Sequence, residues 1–232
     1  MPAFLDDLKR FYGTGESNAQ GQSLEAFLKD YDPRKYETPS CTTDAVILAY
    51  DEKIEKTLDG LSVLLVKRSN HPCIGLWALP GGFADMRENL DDTAKRELEE
   101  ETGVKGLLME QLSTYGDFDR DPRTRVITTA YMAIVQKKEV QIQAGDDAAD
   151  AAWCKVSLEE TDSIETAGKS EKTYRLSVWN EGSSLKTEAI VKAVETTGLI
   201  REKSFKVKEA GKIAVDHAAM IVQALITLKN RL

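Results

Sequence analysis

Three glutamates, Glu97, Glu100 and Glu101, are spaced i, i+3 and i+4 in the run Arg96-Glu-Leu-Glu-Glu-Glu-Thr102. On a helix this spacing places three carboxylates on one face. That face overlaps an apolar stripe of Leu90, Ala94 and Leu98, while Asp92, Lys95 and Glu99 point the other way. Carboxylates bordering a buried stripe repel one another and resist desolvation. A hard divalent cation, which takes oxygen ligands, relieves both penalties. Upstream, Pro80-Gly-Gly is a turn whose missing Cβ atoms let the backbone come close to a ligand. Arg96 lies one turn before Glu100, where it can brace that carboxylate by a charge-assisted hydrogen bond. A Glu-Glu-Glu run is more often a solvated helix face; Glu99 fits that description and the other three do not.

The element that carries these residues has readable ends. Asn89 suits an N-cap, Asp91 and Asp92 fall in the first turn where the helix dipole favours negative charge, and Gly103 suits a C-cap. Ahead of this helix, Thr43 to Tyr50 and Leu61 to Lys67 are apolar, β-rich runs separated by a charged loop, Asp51 to Gly60. Behind it, Gly106 to Leu112, Val126 to Val135 and the short Ala152 to Val156 are further strand candidates. Strand, strand, loop, helix, strand, strand, strand predicts an α/β fold with a mixed sheet and helices on its faces. Thr173 to Asn180 and Leu185 to Ala193 predict a β-hairpin inserted at about 170–195, and Lys208 to Leu232 a closing helix. Residues 1–38 read as a helical extension: Phe4, Leu5, Leu8, Phe11 and Tyr12, then Leu24, Phe27, Leu28 and Tyr31, recur at helical spacing around a polar linker. Such short helices are not stable alone, which predicts docking and a homodimer. The domain reading is therefore 1–38 and 39–232.

A chain of 232 residues can bury one core with room for an appendage. Its net charge of −8 argues against a nucleic-acid scaffold, which needs a basic surface. It leaves a nucleotide substrate open, because a bound metal reverses the local sign. No run of about 18 apolar residues is present, and Met1-Pro-Ala-Phe-Leu-Asp-Asp lacks the basic and apolar regions of a signal peptide. The expectation is a cytoplasmic protein with no membrane and no nucleic-acid partner. Cys41, Cys73 and Cys154 are widely spaced and read as reduced thiols rather than a zinc site.

Residues 80–104 match G-x5-E-x7-R-E-U-x-E-E-x-G-U, with U aliphatic, at Gly82, Glu88, Arg96, Glu97, Leu98, Glu100, Glu101, Gly103 and Val104. The sequence thus resembles a Nudix hydrolase, and a match of this length is far more specific than a lone glycine motif. The resemblance implies a Nudix α/β/α sandwich and Mg²⁺- or Mn²⁺-dependent cleavage of a diphosphate linked to another moiety. It implies metal ligation by Glu97, Glu100, Glu101 and the Gly81 carbonyl, with Glu88 in support. Further stretches, Thr43-Asp-Ala-Val, Leu64-Leu-Val-Lys-Arg, Trp77-Ala-Leu-Pro-Gly-Gly-Phe, Arg120-Asp-Pro-Arg-Thr-Arg-Val126 and Ala214-Val-Asp-His-Ala218, are similar to the ADP-ribose pyrophosphatase branch. That branch also supplies the sensor domain of Nudix-related transcription regulators of NAD metabolism.

Candidate residues follow. Arginine forks match phosphate oxygens, so Arg68, Arg120 and Arg123 are substrate candidates, each weighed against a plain salt bridge. Trp77, Tyr115, Phe118 and Tyr131 are stacking or core aromatics, and Phe118 joins the substrate set. His217 reads as a packed, hydrogen-bonded histidine and His71 as a loop residue. The general base is a box glutamate or a carboxylate of the acidic loop Gly145 to Asp150, where Asp147 is the representative choice beside Asp146 and Asp150. Glu97, Glu100, Glu101, Arg96 and Asp147 form the catalytic set. The leading expectation is hydrolysis of ADP-ribose to AMP and ribose 5-phosphate. The alternatives are a non-catalytic ADP-ribose sensor, or a pyrophosphatase for nucleoside triphosphates or dinucleoside polyphosphates. Regulators of this branch carry a winged helix after the Asp-His helix, and an ending at Leu232 with an acidic balance favours the enzyme.

Overall fold

The structure, a computed structural model, describes residues 4–143 and 148–232. The chain forms two compact units, Met1–Pro39 and Ser40–Leu232. In the first, α1 spans Leu24–Asp30 and is capped by Ser23, whose hydroxyl accepts from the Ala26 amide at 3.3 Å. The first apolar repeat does not become an α-helix; it holds one 3-10 turn at Lys9–Phe11. Phe4, Leu5, Phe11 and Tyr12 are all exposed, so no buried face offsets the cost of helix nucleation.

The second unit runs β1 Ser40–Tyr50, β2 Ser62–Arg68, β3 Trp77–Ala78, β4 Gly81–Phe83, α2 Leu90–Thr102, β5 Glu110–Tyr115, β6 Val126–Gln136, β7 Ala148–Thr166, β8 Lys169–Asn180, β9 Leu185–Thr196, β10 Lys203–Glu209 and α3 His217–Lys229. Among the described residues ten strands form one sheet, ordered β10-β9-β8-β7-β2-β1-β6-β5, with β3 on β2 and β4 on β1. Among the strands of the described residues only β1 and β6 pair in parallel, over the full length of β1; one isolated parallel bridge joins Trp77 and Ile213. The outermost strands β5 and β10 each carry a register shift, between Gln111 and Ser113 and between Val207 and Glu209.

Period-two alternation sorts the core onto two faces. Val46, Leu48, Val63 and Leu65 pack with Ala218, Ile221, Val222 and Leu225 of α3. Ala45, Ile47 and Leu64 pack with Leu98 of α2 on the other face. Both faces of β1 are therefore covered, and Val46 to Ala49 are fully buried. On its other edge β1 has two partners: β2 at Leu48 and Ala49, and β4 at Thr42 to Asp44. The sheet therefore splits on this edge, with β2 beside the C-terminal half of β1 and β4 beside its N-terminal half. Among the described residues no helix is long and apolar enough to cross a membrane.

Several boundaries differ from the sequence reading. The last core strand is 19 residues long rather than a short run at 152–156. Its second half, Leu158 to Thr166, is mostly polar, and it pairs with β8 as an exposed arm. The predicted hairpin is a continuation of the central sheet: Tyr174, Leu176, Val178, Leu185, Ala189 and Val191 share the α3 core. The closing helix begins at His217; Lys203 to Glu209 is a strand, with Phe205 and Val207 turned to the core, and a turn follows it. The strand after the box helix begins at Glu110, past the left-handed Gly106 (φ 75°).

Leu176, in β8, is fully buried in the core that β8 shares with α3. Leu176→Ala is expected to lower stability by about 2–5 kcal/mol in urea unfolding, the usual cost of a core cavity. A loss near zero would mean that β8 lies outside the main core.

Candidate active site

Helix α2 begins after Asn89, which has extended backbone, and ends at Gly103 in the left-handed conformation (φ 71°), whose N–H donates to the Glu99 carbonyl. The Asn89 side chain is used differently from the usual cap: it donates to Asp92 at 3.0 Å. This helix presents Glu97 and Glu101 toward the sheet split, and Arg96 holds Glu97 together with the more exposed Glu100. Its Nε and Nη2 hold the two oxygens of Glu88 at 2.9 Å each. Its Nη1 donates to Glu97 at 2.7 Å and to Glu100 at 2.9 Å, and Nη2 also donates to the Phe83 carbonyl at 3.0 Å. A guanidinium has five N–H donors, and all are engaged. Arg96 therefore acts on the site through the carboxylates it holds. The Arg96 guanidinium, helped by the Thr93 hydroxyl, keeps the Glu88 carboxyl down at about 2.

The Pro80-Gly-Gly turn lies directly over this face. The Gly81 amide donates to Glu101 at 3.0 Å. A Cβ on Gly81 would stand 2.1 Å from the Thr43 carbonyl oxygen, and one on Gly82 would stand 2.4 Å from the Glu97 carboxylate. Both positions need glycine for close approach. Burial raises the Glu97 carboxyl above its ordinary range. Burial also pushes Glu101 up to about 7, with the charges of Glu97 and Asp44 adding to the rise and the Gly81 amide opposing it.

A cavity of about 450 Å³ opens from these carboxylates into the sheet split. Glu97 and Glu101 line one side with Gly81 and Gly82. Arg68 and the loop from Ser69 to Cys73 line another, and Asp44, Arg120, Asp121, Arg123, Asp216 and His217 a third. Glu100 lies outside this lining, more than half exposed and held by Arg96. Among the described residues no three His, Cys, Asp or Glu side chains stand together as a ligand set. The donor chemistry nevertheless fits a hard divalent cation. Two desolvated carboxylates face one cavity, and among the described residues Glu97 pairs with Arg96 while Glu101 has no ion-pair partner; the packed glycine backbone adds carbonyl oxygens.

The arginines divide sharply. Arg120 is almost fully buried and grips Asp216 with two bonds, 2.8 Å from Nε and 3.0 Å from Nη2. Arg123 grips Asp121 at 3.1 and 2.8 Å and lies over the Phe83 ring, 5.1 Å from its centroid. Arg125 donates to the Asp117 and Gly116 carbonyls. Arg68 alone of these four has no carboxylate or loop-carbonyl partner for its Nη nitrogens among the described residues; its Nε donates to the Pro72 carbonyl at 2.7 Å. Phe118 is exposed and away from the cavity. Trp77 is core, while Tyr115 donates to Gln223 and Tyr131 to Asp91. Asp146 and Asp147 lie outside the described residues, and Asp150 accepts from Ser183 at 3.1 Å.

Two acids of the cavity wall, Asp44 and Asp216, were seen in the sequence only as letters of longer motifs. A signal existed for Asp44: an acid in the otherwise apolar strand run from Thr43 to Tyr50, where a charge needs a specific reason. His71 lies in a loop, as read from the sequence, and lines the cavity.

The family profile described as NUDIX domain matches residues 42–175, more than half of the chain. The chain belongs to the Nudix family. It is 38% identical over 123 residues to an ADPR responsive transcriptional repressor NtrR of Acinetobacter baylyi, covering 52% of this chain and 47% of that protein. It is 39% identical over 126 residues to an ADP-ribose pyrophosphatase of Methanocaldococcus jannaschii, covering 54% of this chain and 66% of that one. The matches thus span about half and just under two thirds of these relatives. Among solved structures, the NUDIX domain of Shewanella oneidensis NrtR complexed with ADP ribose aligns with a TM-score of 0.59 at 28% identity, covering 89% of this chain and 99% of that one.

The buried carboxyl makes a stability test. In metal-free folded protein Glu101 holds its proton up to about pH 7, whereas an unfolded glutamate releases it near 4.5. Between those values the folded state binds more protons, so stability falls as pH rises. Glu101→Gln is expected to remove this fall: urea unfolding in chelator should show a larger gain at pH 8 than at pH 4. Equal changes at both pH values would contradict the desolvation.

Proposed function

We propose that this chain is a divalent-cation-dependent Nudix hydrolase acting on ADP-ribose, releasing AMP and ribose 5-phosphate. The observation that carries the reading is one cavity with desolvated carboxylates at one side and, at another, Arg68, whose Nη nitrogens have no carboxylate partner among the described residues. That arrangement suits a diphosphate, whose charge needs both a cation near the reacting phosphorus and a fork for the remaining oxygens. The relatives named for ADP-ribose give the choice of substrate.

In this reading Glu97, Glu101 and the Gly81 carbonyl would hold Mg²⁺ or Mn²⁺, with Glu100 contributing from the same helix. The bound ion would polarise the phosphoryl group and offset the charge of the leaving phosphate. Arg96 keeps the carboxylates in register through its five bonds. Arg68 binds phosphate oxygens and so orients the diphosphate for attack by water. The proton of that water passes to a carboxylate facing the cavity, and Glu97 and Glu101 are those on the α2 side; Asp147 of the acidic loop is the other candidate. Asp121 and Asp216 neutralise Arg123 and Arg120, so those two arginines set the shape of the wall more than its charge.

A second reading has support of its own. The Acinetobacter relative is a repressor responsive to ADPR, so the same cavity can serve a sensor. Both readings share the ligand and differ in cleavage.

Two measurements test the proposal. AMP release from ADP-ribose is expected with Mg²⁺ or Mn²⁺ and should vanish in chelator; tight binding without AMP release would favour the sensor. Arg68→Ala should lower kcat/KM by about tenfold to a hundredfold, the loss of one charged hydrogen bond, at an unchanged melting temperature. A near-normal rate would place the phosphates elsewhere.

A further inference from the structure

We propose that Asp44 and His217 together recognise a hydroxyl group on the sugar carried beyond the diphosphate. The inference rests on the cavity being a nucleoside-diphosphate-sugar site and adds a specificity-determining pair to it.

Asp44 sits in β1 and is 8% exposed. Its Oδ2 accepts from the Thr128 hydroxyl at 2.6 Å, and Arg120 Nη2 stands 3.9 Å from the same oxygen. Its Oδ1 lies 3.8 Å from His217 Nε2. His217 Nδ1 accepts from the Leu79 amide at 2.8 Å. A ring nitrogen that accepts carries no proton, so the proton of the neutral ring is on Nε2. The wall therefore holds a donor, Nε2–H, beside an acceptor, Oδ1, at a distance too long for a hydrogen bond between them. Both residues line the cavity.

The two groups face the cavity side by side at 3.8 Å without bonding one another. Here each group keeps capacity for a third partner. A hydroxyl satisfies both, accepting from Nε2–H and donating to Oδ1. A phosphate oxygen cannot donate and would face the Asp44 charge. An ammonium cannot accept from Nε2–H. The pair thus selects a hydroxyl by hydrogen-bond complementarity, and a polar site of this kind discriminates strongly against a ligand that lacks the group.

The pair is also rigidly indexed to the carboxylates. Asp216, next to His217, is locked by Arg120. The Leu79 amide that fixes the ring is two residues from the Gly81 amide that holds Glu101. A hydroxyl bound at Asp44 and His217 would fix where the diphosphate falls relative to Glu97 and Glu101.

The test compares ADP-ribose with ADP β-methyl ester, which lacks the distal sugar. The readout is the ratio of their kcat/KM values, in the unaltered protein and in Asp44→Asn. This variant keeps the acceptor for Thr128 and turns a donor toward His217. The ratio is expected to fall by about tenfold or more. A ratio preserved within about twofold, in a variant that melts like the unaltered protein, overturns the inference and leaves the hydrolase reading standing. Should the variant fold poorly, ADP-ribose analogues lacking one distal hydroxyl at a time are applied to the unaltered protein. One position should then cost about tenfold or more, and uniform tolerance overturns the inference. If ADP-ribose binds without being cleaved, dissociation constants from calorimetry replace kcat/KM in both comparisons. A protein that neither binds nor cleaves ADP-ribose would overturn the site reading and this inference with it.

Discussion

The site depends on one guanidinium. Arg96 joins Glu88, Glu97, Glu100 and the Phe83 carbonyl, tying the box helix to the strand β4 beneath it. Without it three negative groups would crowd a partly desolvated helix face with nothing between them. Each bond is charge-assisted or made to a carbonyl, and a planar fork meets them at fixed angles. A lysine would supply the charge and lose the geometry. The same requirement explains the glycines: the turn can lie against the carboxylates only where no Cβ intervenes.

The second determinant is the split in the sheet. A continuous sheet would separate the α2 face from the α3 face, and Glu101 would never meet Asp44. Because β1 changes partner from β2 to β4, acids from opposite faces reach one cavity. The cavity is consequently bipolar in function. The α2 side holds charge that calls for a cation, and the α3 side holds charges that are already paired, Arg120 with Asp216 and Arg123 with Asp121. Bidentate pairing of this kind is costly to desolvate and stiffens the wall.

Much of this was legible in the sequence. Helix α2, its glycine cap and its carboxylate face follow from spacing alone, because a helix is a local structure with a fixed period. The family followed from the length of the box. What escaped were the features that depend on distant partners. Arg120 reads equally as phosphate ligand and brace until Asp216, far along the chain, closes on it. Asp44 reads as an oddity until β4 and α3 meet beside it. The second half of β7 was hidden for another reason: its residues are mostly polar, and pairing with β8, not burial, makes them a strand; β10 is short, with only Phe205 and Val207 turned to the core.

The two outermost strands have a bearing on how the molecule behaves among its own copies. An open sheet ends in unpaired amides and carbonyls, which can template pairing with another chain. Here β10 carries Lys203, Lys206 and Lys208, and both β5 and β10 are kinked by a register shift. Charge repels an approaching edge, and a bulge twists the hydrogen-bonding row out of line with it. A sheet of this breadth is thus built to end where it does, and resistance to fibrous stacking is carried by seven modest residues at one rim, Lys203–Glu209, and a single irregularity at the other.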